Sequence, residues 1–155
     1  MNDVLWFIVI VAGIVIYNRY EKNKKNQKEF DDLWVNAERY AYHVRKLGEG
    51  DLYEMINAME KDIMRLKERY NHDKEKQSQI GEDWMKYAEC LNSLVSSSEM
   101  WLHADEDDRE RIDREKNDLH ITIKEIENDI YDELGESSEI ALTHQKIKEG
   151  SESEE

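Results

Sequence analysis

The apolar positions of this chain fall into two regimes. From Val4 to Tyr17 it reads VLWFIVIVAGIVIY, fourteen residues without a charge or an amide. Such a run is apolar on every helical face, as a lipid-facing helix is, with no stripe left for water. Beyond it, apolar residues recur at intervals of three and four among charged neighbours, the spacing of amphipathic helices. The pattern predicts an all-α chain: an N-terminal single transmembrane helix, then an antiparallel helical bundle with coiled-coil-like seams, then an acidic disordered tail. The expected divisions are 1–20 for the anchor, 21–29 for a basic juxtamembrane segment, 30–134 for the bundle and 135–155 for the flexible tail.

The first bundle stripe is Phe30, Leu33, Ala37, Tyr40, Val44 and Leu47, with alternating gaps of three and four as at heptad a and d positions. Trp34 and Ala41 widen it, which suits a bundle better than a bare two-stranded seam. Gly48 and Gly50 should end this helix. Asp51, with Glu54 three residues on, is the expected N-cap of a second stripe, formed by Leu52, Ile56, Met59, Ile63, Leu66 and Tyr70. The polar stretch 71–81 reads as a frayed or projecting end, with Gly81 as the turn. A third stripe runs Trp84, Tyr87, Ala88, Leu91, Leu94, Val95, Trp101 and Leu102; it is the most apolar after the anchor and should lie at the bundle centre. Asp105 is placed to cap a fourth helix, carrying Ile112, Leu119, Ile123, Ile126 and Ile130 and stopping at Leu134-Gly135. Ile140, Leu142 and Ile147 add a short amphipathic turn or two. The short link after Leu47 favours antiparallel packing of the first two bundle helices, while closure within one chain or as a homo-oligomer stays open.

The flanks of the apolar run bear on topology. A span from Val4 to Tyr20 covers about 25 Å against a hydrocarbon core of about 30 Å, provided that Arg19 reaches back to the headgroups. Val4, Leu5, Trp6, Phe7, Ile8, Ile14, Ile16 and Tyr17 are its expected membrane-facing residues, with Trp6, Tyr17 and Tyr20 placed like interfacial aromatic belts. The start Met-Asn-Asp lacks the positive charge of a signal peptide, and no small-residue cleavage motif follows the run, so an uncleaved anchor is expected. Residues 18–28 hold Arg19, Lys22, Lys24, Lys25 and Lys28 against Glu21 alone, a net +4. Basic flanks stay on the cytoplasmic side, which predicts the N-terminus outside and the helical domain in the cytoplasm. The same collar could hold the segment against anionic lipid.

Charge narrows the partners. The whole chain carries −15, and setting aside Asp3 and the +4 segment leaves −18 on residues 29–155. Such a domain repels nucleic-acid phosphates. There is no proline, in keeping with long uninterrupted helices. Cys90 is the single cysteine, so no intrachain disulfide can form.

No catalytic or cofactor-binding constellation emerges from the sequence. The five histidines are scattered, and Glu68 with His72 lacks the companion ligands of a helical metal site. The run Asp105–Asp108 has neither the alternation nor the central glycine of a calcium loop and reads as a helix start. Cys90 has no histidine beside it to stabilise a thiolate. Neither a phosphate loop nor a nucleophile elbow is present. The expectation is a non-enzyme without metal or cofactor. Exposed members of the set Trp34, Tyr42, Tyr53, Trp84 and Trp101 would form a partner surface, whereas Trp34, Trp84 and Trp101 also suit the core.

The function expected from sequence is a single-pass membrane scaffold or adaptor whose cytoplasmic bundle binds a protein partner, with the lipid bilayer as its other contact. Two other classes fit the pattern. One is an envelope-spanning, lysis or tethering protein with its helices outside the cytoplasm, against which the basic collar argues. The other is a soluble oligomeric subunit that buries Val4–Tyr17 between chains.

Overall fold

Among the described residues there are five α-helices and no strand: α1 (Asn2–Leu47), α2 (Asp51–Arg69), α3 (Lys74–His103), α4 (Glu106–Leu134) and α5 (Glu139–Glu152). A single 3-10 turn, Gly135–Ser137, joins the last two. This computed structural model describes the backbone of residues 2–48 and 50–152 and the side chains of 11–48 and 50–150.

The helices alternate in direction. Arg45 on α1 meets Asn57 and Glu60 on α2, while Lys67 at the far end of α2 covers Trp34, so the two run antiparallel as the short link predicts. Trp34 lies against Gly81 and Glu38 against Trp84, which sets α3 parallel to α1. Tyr87 pairs with Glu127 and Lys76 with Glu133, which turns α4 back along α3. Asp62 touches the start of α5 and Met55 lies near His144, so α5 runs antiparallel to α2.

Most of the expected stripe residues form the core, but Leu47 and Leu102, at the ends of the first and third stripes, are 51% and 67% exposed. Ala37, Ala41 and Val44 of α1 meet the Trp84, Tyr87, Ala88 and Leu91 face of α3, all at most 1% exposed. Small residues on α1 let its axis approach α3 closely enough to enclose the larger rings. Ile56, Met59, Ile63 and Leu66 from α2 and Ile123, Ile126 and Ile130 from α4 complete the cluster. Past Val95, α3 and the first half of α4 extend beyond the ends of α1 and α2 as a two-helix hairpin, where Ile112 is the one fully buried large side chain of residues 98–118.

Helix ends differ in part from the sequence reading. The first glycine pair does stop α1, but Gly50, at φ 54°, is the N-cap of α2 and Asp51 is already helical, with no side-chain cap. A glycine tolerates that left-handed geometry where aspartate would be strained. The turn expected at Gly81 lies instead at residues 70–73. There the Asp73 carboxylate accepts from the Glu75 and Lys76 amides at 3.1 and 3.0 Å, starting α3 eight residues earlier. Gly81 is buried inside α3 because Trp34 lies over it, 3.1 Å from where a Cβ would stand. Asp105 caps α4 through the Asp108 amide at 2.9 Å, and Gly135, at φ 61°, ends it.

The tail expected to be flexible from 135 onward is helical through Glu152; residues 153–155 lie outside the described residues. The reason is tertiary. Asp62, fully buried on α2, accepts hydrogen bonds from Ser138 Oγ (2.8 Å) and from the Glu139 and Ile140 amides (2.9 and 3.0 Å). A side chain 76 positions away in sequence thus satisfies the donors that open α5.

Among the described residues, no helix is long and apolar enough to cross a membrane. The expected span is therefore not supported there, and the side chains of Val4, Leu5, Trp6, Phe7 and Ile8 lie outside the described set.

Candidate interaction surfaces

The first surface is the free part of α1. Helix α1 is continuous from Asn2 to Leu47, but only its second half packs on the bundle. Every side chain from Val11 to Glu29 is exposed. Ile14, Val15, Ile16 and Tyr17 are 48–67% exposed, and four consecutive residues at 100° each go round the whole helix. That circumference is uncovered apolar surface. Arg19, Lys22, Lys24, Lys25 and Lys28 follow on the same rod, all exposed, with Lys25 near Glu29 at 3.8 Å.

The five aromatic residues expected to make a partner surface do not come together. Trp84 is 1% exposed in the core, its indole N–H directed to Glu38 at 3.4 Å, so it has no surface to offer. Trp34 is half-buried between Phe30, Gly81 and the Lys67 ammonium, which stands 3.8 Å from its ring. Trp101 is half-buried on the hairpin beneath the Arg109 guanidinium. Only Tyr42 and Tyr53 are exposed, on separate helices. Hydrophobic periodicity alone cannot tell a core tryptophan from a surface one, and here the stripe positions went to packing.

Sequence reasoning missed a polar network around Glu127. Its carboxylate accepts from the Tyr87 hydroxyl at 2.8 Å through one oxygen and lies 2.9 Å from His144 Nε2 through the other. Tyr87 is wholly buried, and burial first, then the Glu127 charge, raises its pKa well above the ordinary value. The hydrogen bond to Glu127 raises the His144 pKa, against desolvation, which lowers it. A second network joins three helices at the other end, where Glu133 takes hydrogen bonds from Tyr70 and Lys76 that lower its pKa. The partners of each network are 17 to 63 positions apart, and no local motif signals them.

Beside His144 a groove of about 420 Å³ runs between α4 and α5, with Met55, Ile123, Ile140 and Ala141 as its apolar lining and His120, Lys124 and His144 at its polar edge. On the opposite side of α4 a smaller recess gathers Asp83, Asp129, Asp132 and Glu133; burial, then Asp129, raises the Asp83 pKa. Among the described residues no group of three or more acids, histidines or cysteines is placed to hold a metal ion. Glu68 lies in the last turn of α2 while His72 lies in the turn beyond the helix, so the two do not share a helix face. Cys90 is buried, and burial pushes its thiol pKa up, away from the thiolate.

No family model, no curated protein and no solved structure matches the chain.

Proposed function

We propose that this protein is a membrane-anchored helical scaffold or adaptor: the apolar start of α1 inserts in a bilayer, and the bundle carried on the same helix binds a protein partner. The observation that carries the reading is the uncovered apolar circumference of α1. Val11, Ile14, Val15, Ile16, Tyr17 and Tyr20 are 43–67% exposed, in a stretch that continues the apolar run from Val4. An all-round apolar helix left in water is unfavourable by roughly 25 cal/mol for each Å² exposed, and lipid removes that cost. The cationic collar next to it suits the cytoplasmic headgroups. Arg19 has the length to reach them from inside the interface. The aliphatic core, the acidic surface and the absence of gathered chemistry among the described side chains favour binding over catalysis.

Alkaline extraction of membranes tests the anchor. The full chain should stay in the membrane pellet, and deletion of residues 1–20 should release a helical, soluble bundle. A full chain that leaves with the supernatant and sediments as an oligomer is instead a structural subunit burying Val4–Tyr17. Protease treatment tests orientation: a C-terminal tag should be protected in sealed cells and cleaved in inverted vesicles. Cleavage from outside the cell would favour the envelope-spanning reading.

A further inference from the structure

We propose that the open face of the α3–α4 hairpin is the docking site for a basic amphipathic helix of the partner protein. The inference rests on the reading of the bundle as a partner-binding domain, and it names the surface and the chemistry that surface would take.

The hairpin is the stretch of the bundle where two helices have no third to lean on. Of residues 98–118, only Ile112 is buried. Apolar positions that a longer bundle would cover are left in water: Met100 is 53% and Leu102 67% exposed. Two shallow recesses, of about 510 and 760 Å³, meet at Met100. One lies between the serines of α3 and the half-buried Leu119 of α4, and the other reaches Leu102 and His103. Ser93, Ser96, Ser97 and Met100 stand at i, i+3, i+4 and i+7, so they share one face of α3. Small side chains there let another helix come close before its apolar residues meet Met100 and Leu102. The Ser96 hydroxyl already donates to the Asn92 carbonyl at 3.2 Å and asks nothing of an occupant. From Ser93 to His103 this face runs about 15 Å at 1.5 Å per residue, nearly three turns of a helix laid alongside.

Charge selects the occupant. Residues 96–118 hold nine acids against Arg109, Arg111, Arg114 and Lys116, a net −5 out of the −15 of the whole chain. Four of those acids, Glu99, Asp108, Glu115 and Asp118, line the two recesses, and Arg111 is the one Lys or Arg that does. Arg111 is itself paired with Asp108 at 2.9 Å. Among the described residues Glu99, Glu115 and Asp118 make no ion pair. An acidic rim beside exposed Met100 and Leu102 matches a helix with an apolar stripe and basic flanks. It repels an acidic helix, and equally a second copy of the same acidic face.

The test uses the full chain in non-ionic detergent and two labelled peptides of roughly fifteen residues, helical and identical in their leucine stripe, one flanked by Lys and the other by Glu. Fluorescence anisotropy should show the Lys peptide binding about tenfold or more tightly than the Glu peptide. The double variant Glu115→Lys, Asp118→Lys changes two exposed side chains of the rim and should keep the wild-type circular dichroism while abolishing that preference. Asp32→Lys with Glu68→Lys makes the same change in net charge at exposed positions of α1 and α2 and should leave it in place. Met100→Ser with Leu102→Ser should weaken the Lys peptide by about tenfold through lost apolar contact. Equal binding of the two peptides, or binding of neither, overturns the proposal. So does a loss as large in the α1 and α2 control as in the rim variant, which would make the attraction one of overall charge. A dimer that Met100→Ser, Leu102→Ser splits would make the occupant a second copy and overturn it too. A chain that stays in the membrane pellet but ignores both peptides loses this docking face and keeps its anchor.

Discussion

Tyr87 and His144 hold the same carboxylate from opposite sides: the Tyr87 hydroxyl reaches Glu127 at 2.8 Å from within the core, and His144 reaches it at 2.9 Å from the surface helix α5. Glu127 is thereby a relay between the centre of the bundle and its last helix. Removing the inner partner leaves one carboxylate oxygen without its buried donor. Tyr87→Phe should destabilise the fold by about 1–3 kcal/mol, the usual cost of such a loss, measured by urea denaturation with an unchanged m-value.

The outer partner makes the attachment of α5 depend on pH. Hydrogen bonding to Glu127 raises the His144 pKa above its ordinary 6.5. A group whose folded pKa is raised contributes stability that is fully present below the unfolded value and is lost as pH rises through the folded one. The groups around it on the packed helices are Glu127, His120, Lys124 and Tyr131 from α4 and Asp51 from α2. Exchange of the α5 amides with deuterium, corrected for its intrinsic pH dependence, should therefore be slowest at mildly acidic pH and accelerate above neutrality. In Glu127→Gln that dependence should flatten. Protection that instead increases from pH 6 to 8 would contradict the pairing.

Asp62 should be the most sensitive single position for α5. It is fully buried and accepts from Ser138 and two amides at the start of that helix. Asp62→Ala leaves those donors unsatisfied and should cost about 2 kcal/mol, as loss of a strong N-cap does. Because the fourth donor, Arg65, also holds the Ser137 carbonyl at 2.6 Å, the turn before α5 should loosen with it. Hydrogen exchange localised to residues 138–150, with α1 and α3 still protected, is the expected signature.

Gly81 marks a close approach of α1 to α3. A Cβ there would stand 3.1 Å from Trp34 Nε1 and 3.6 Å from its Cε2. Gly81→Ala gains helix propensity of about 1 kcal/mol, which offsets a mild clash. Gly81→Val adds two methyl groups against the indole and should destabilise by about 1–3 kcal/mol, as overpacking does. Thermal unfolding of the pair separates the two effects, since a turn glycine would have no indole to displace.

What the sequence determined by itself is the part governed by periodicity. Stripes at three- and four-residue spacing name Ala37, Val44, Ile56, Ile63, Leu91 and Ile126 as core, and all are buried. Glycine before Asp51 and after Leu134, and Asp105 before an acidic helix start, mark ends because their causes lie within four residues. Tertiary structure decided the rest, because the deciding partner was far away along the chain. Gly81 reads as a turn until Trp34 is laid over it. Residues 139–152 read as an acidic tail with a short amphipathic turn or two at Ile140, Leu142 and Ile147, and become a full helix where Asp62 supplies the missing acceptors for its first turn. Trp34 and Trp84 can be assigned to core or surface only after the helices are packed. Glu127 looks like one of many surface acids, and becomes the link between Tyr87 and His144 only because α4 lies between α3 and α5.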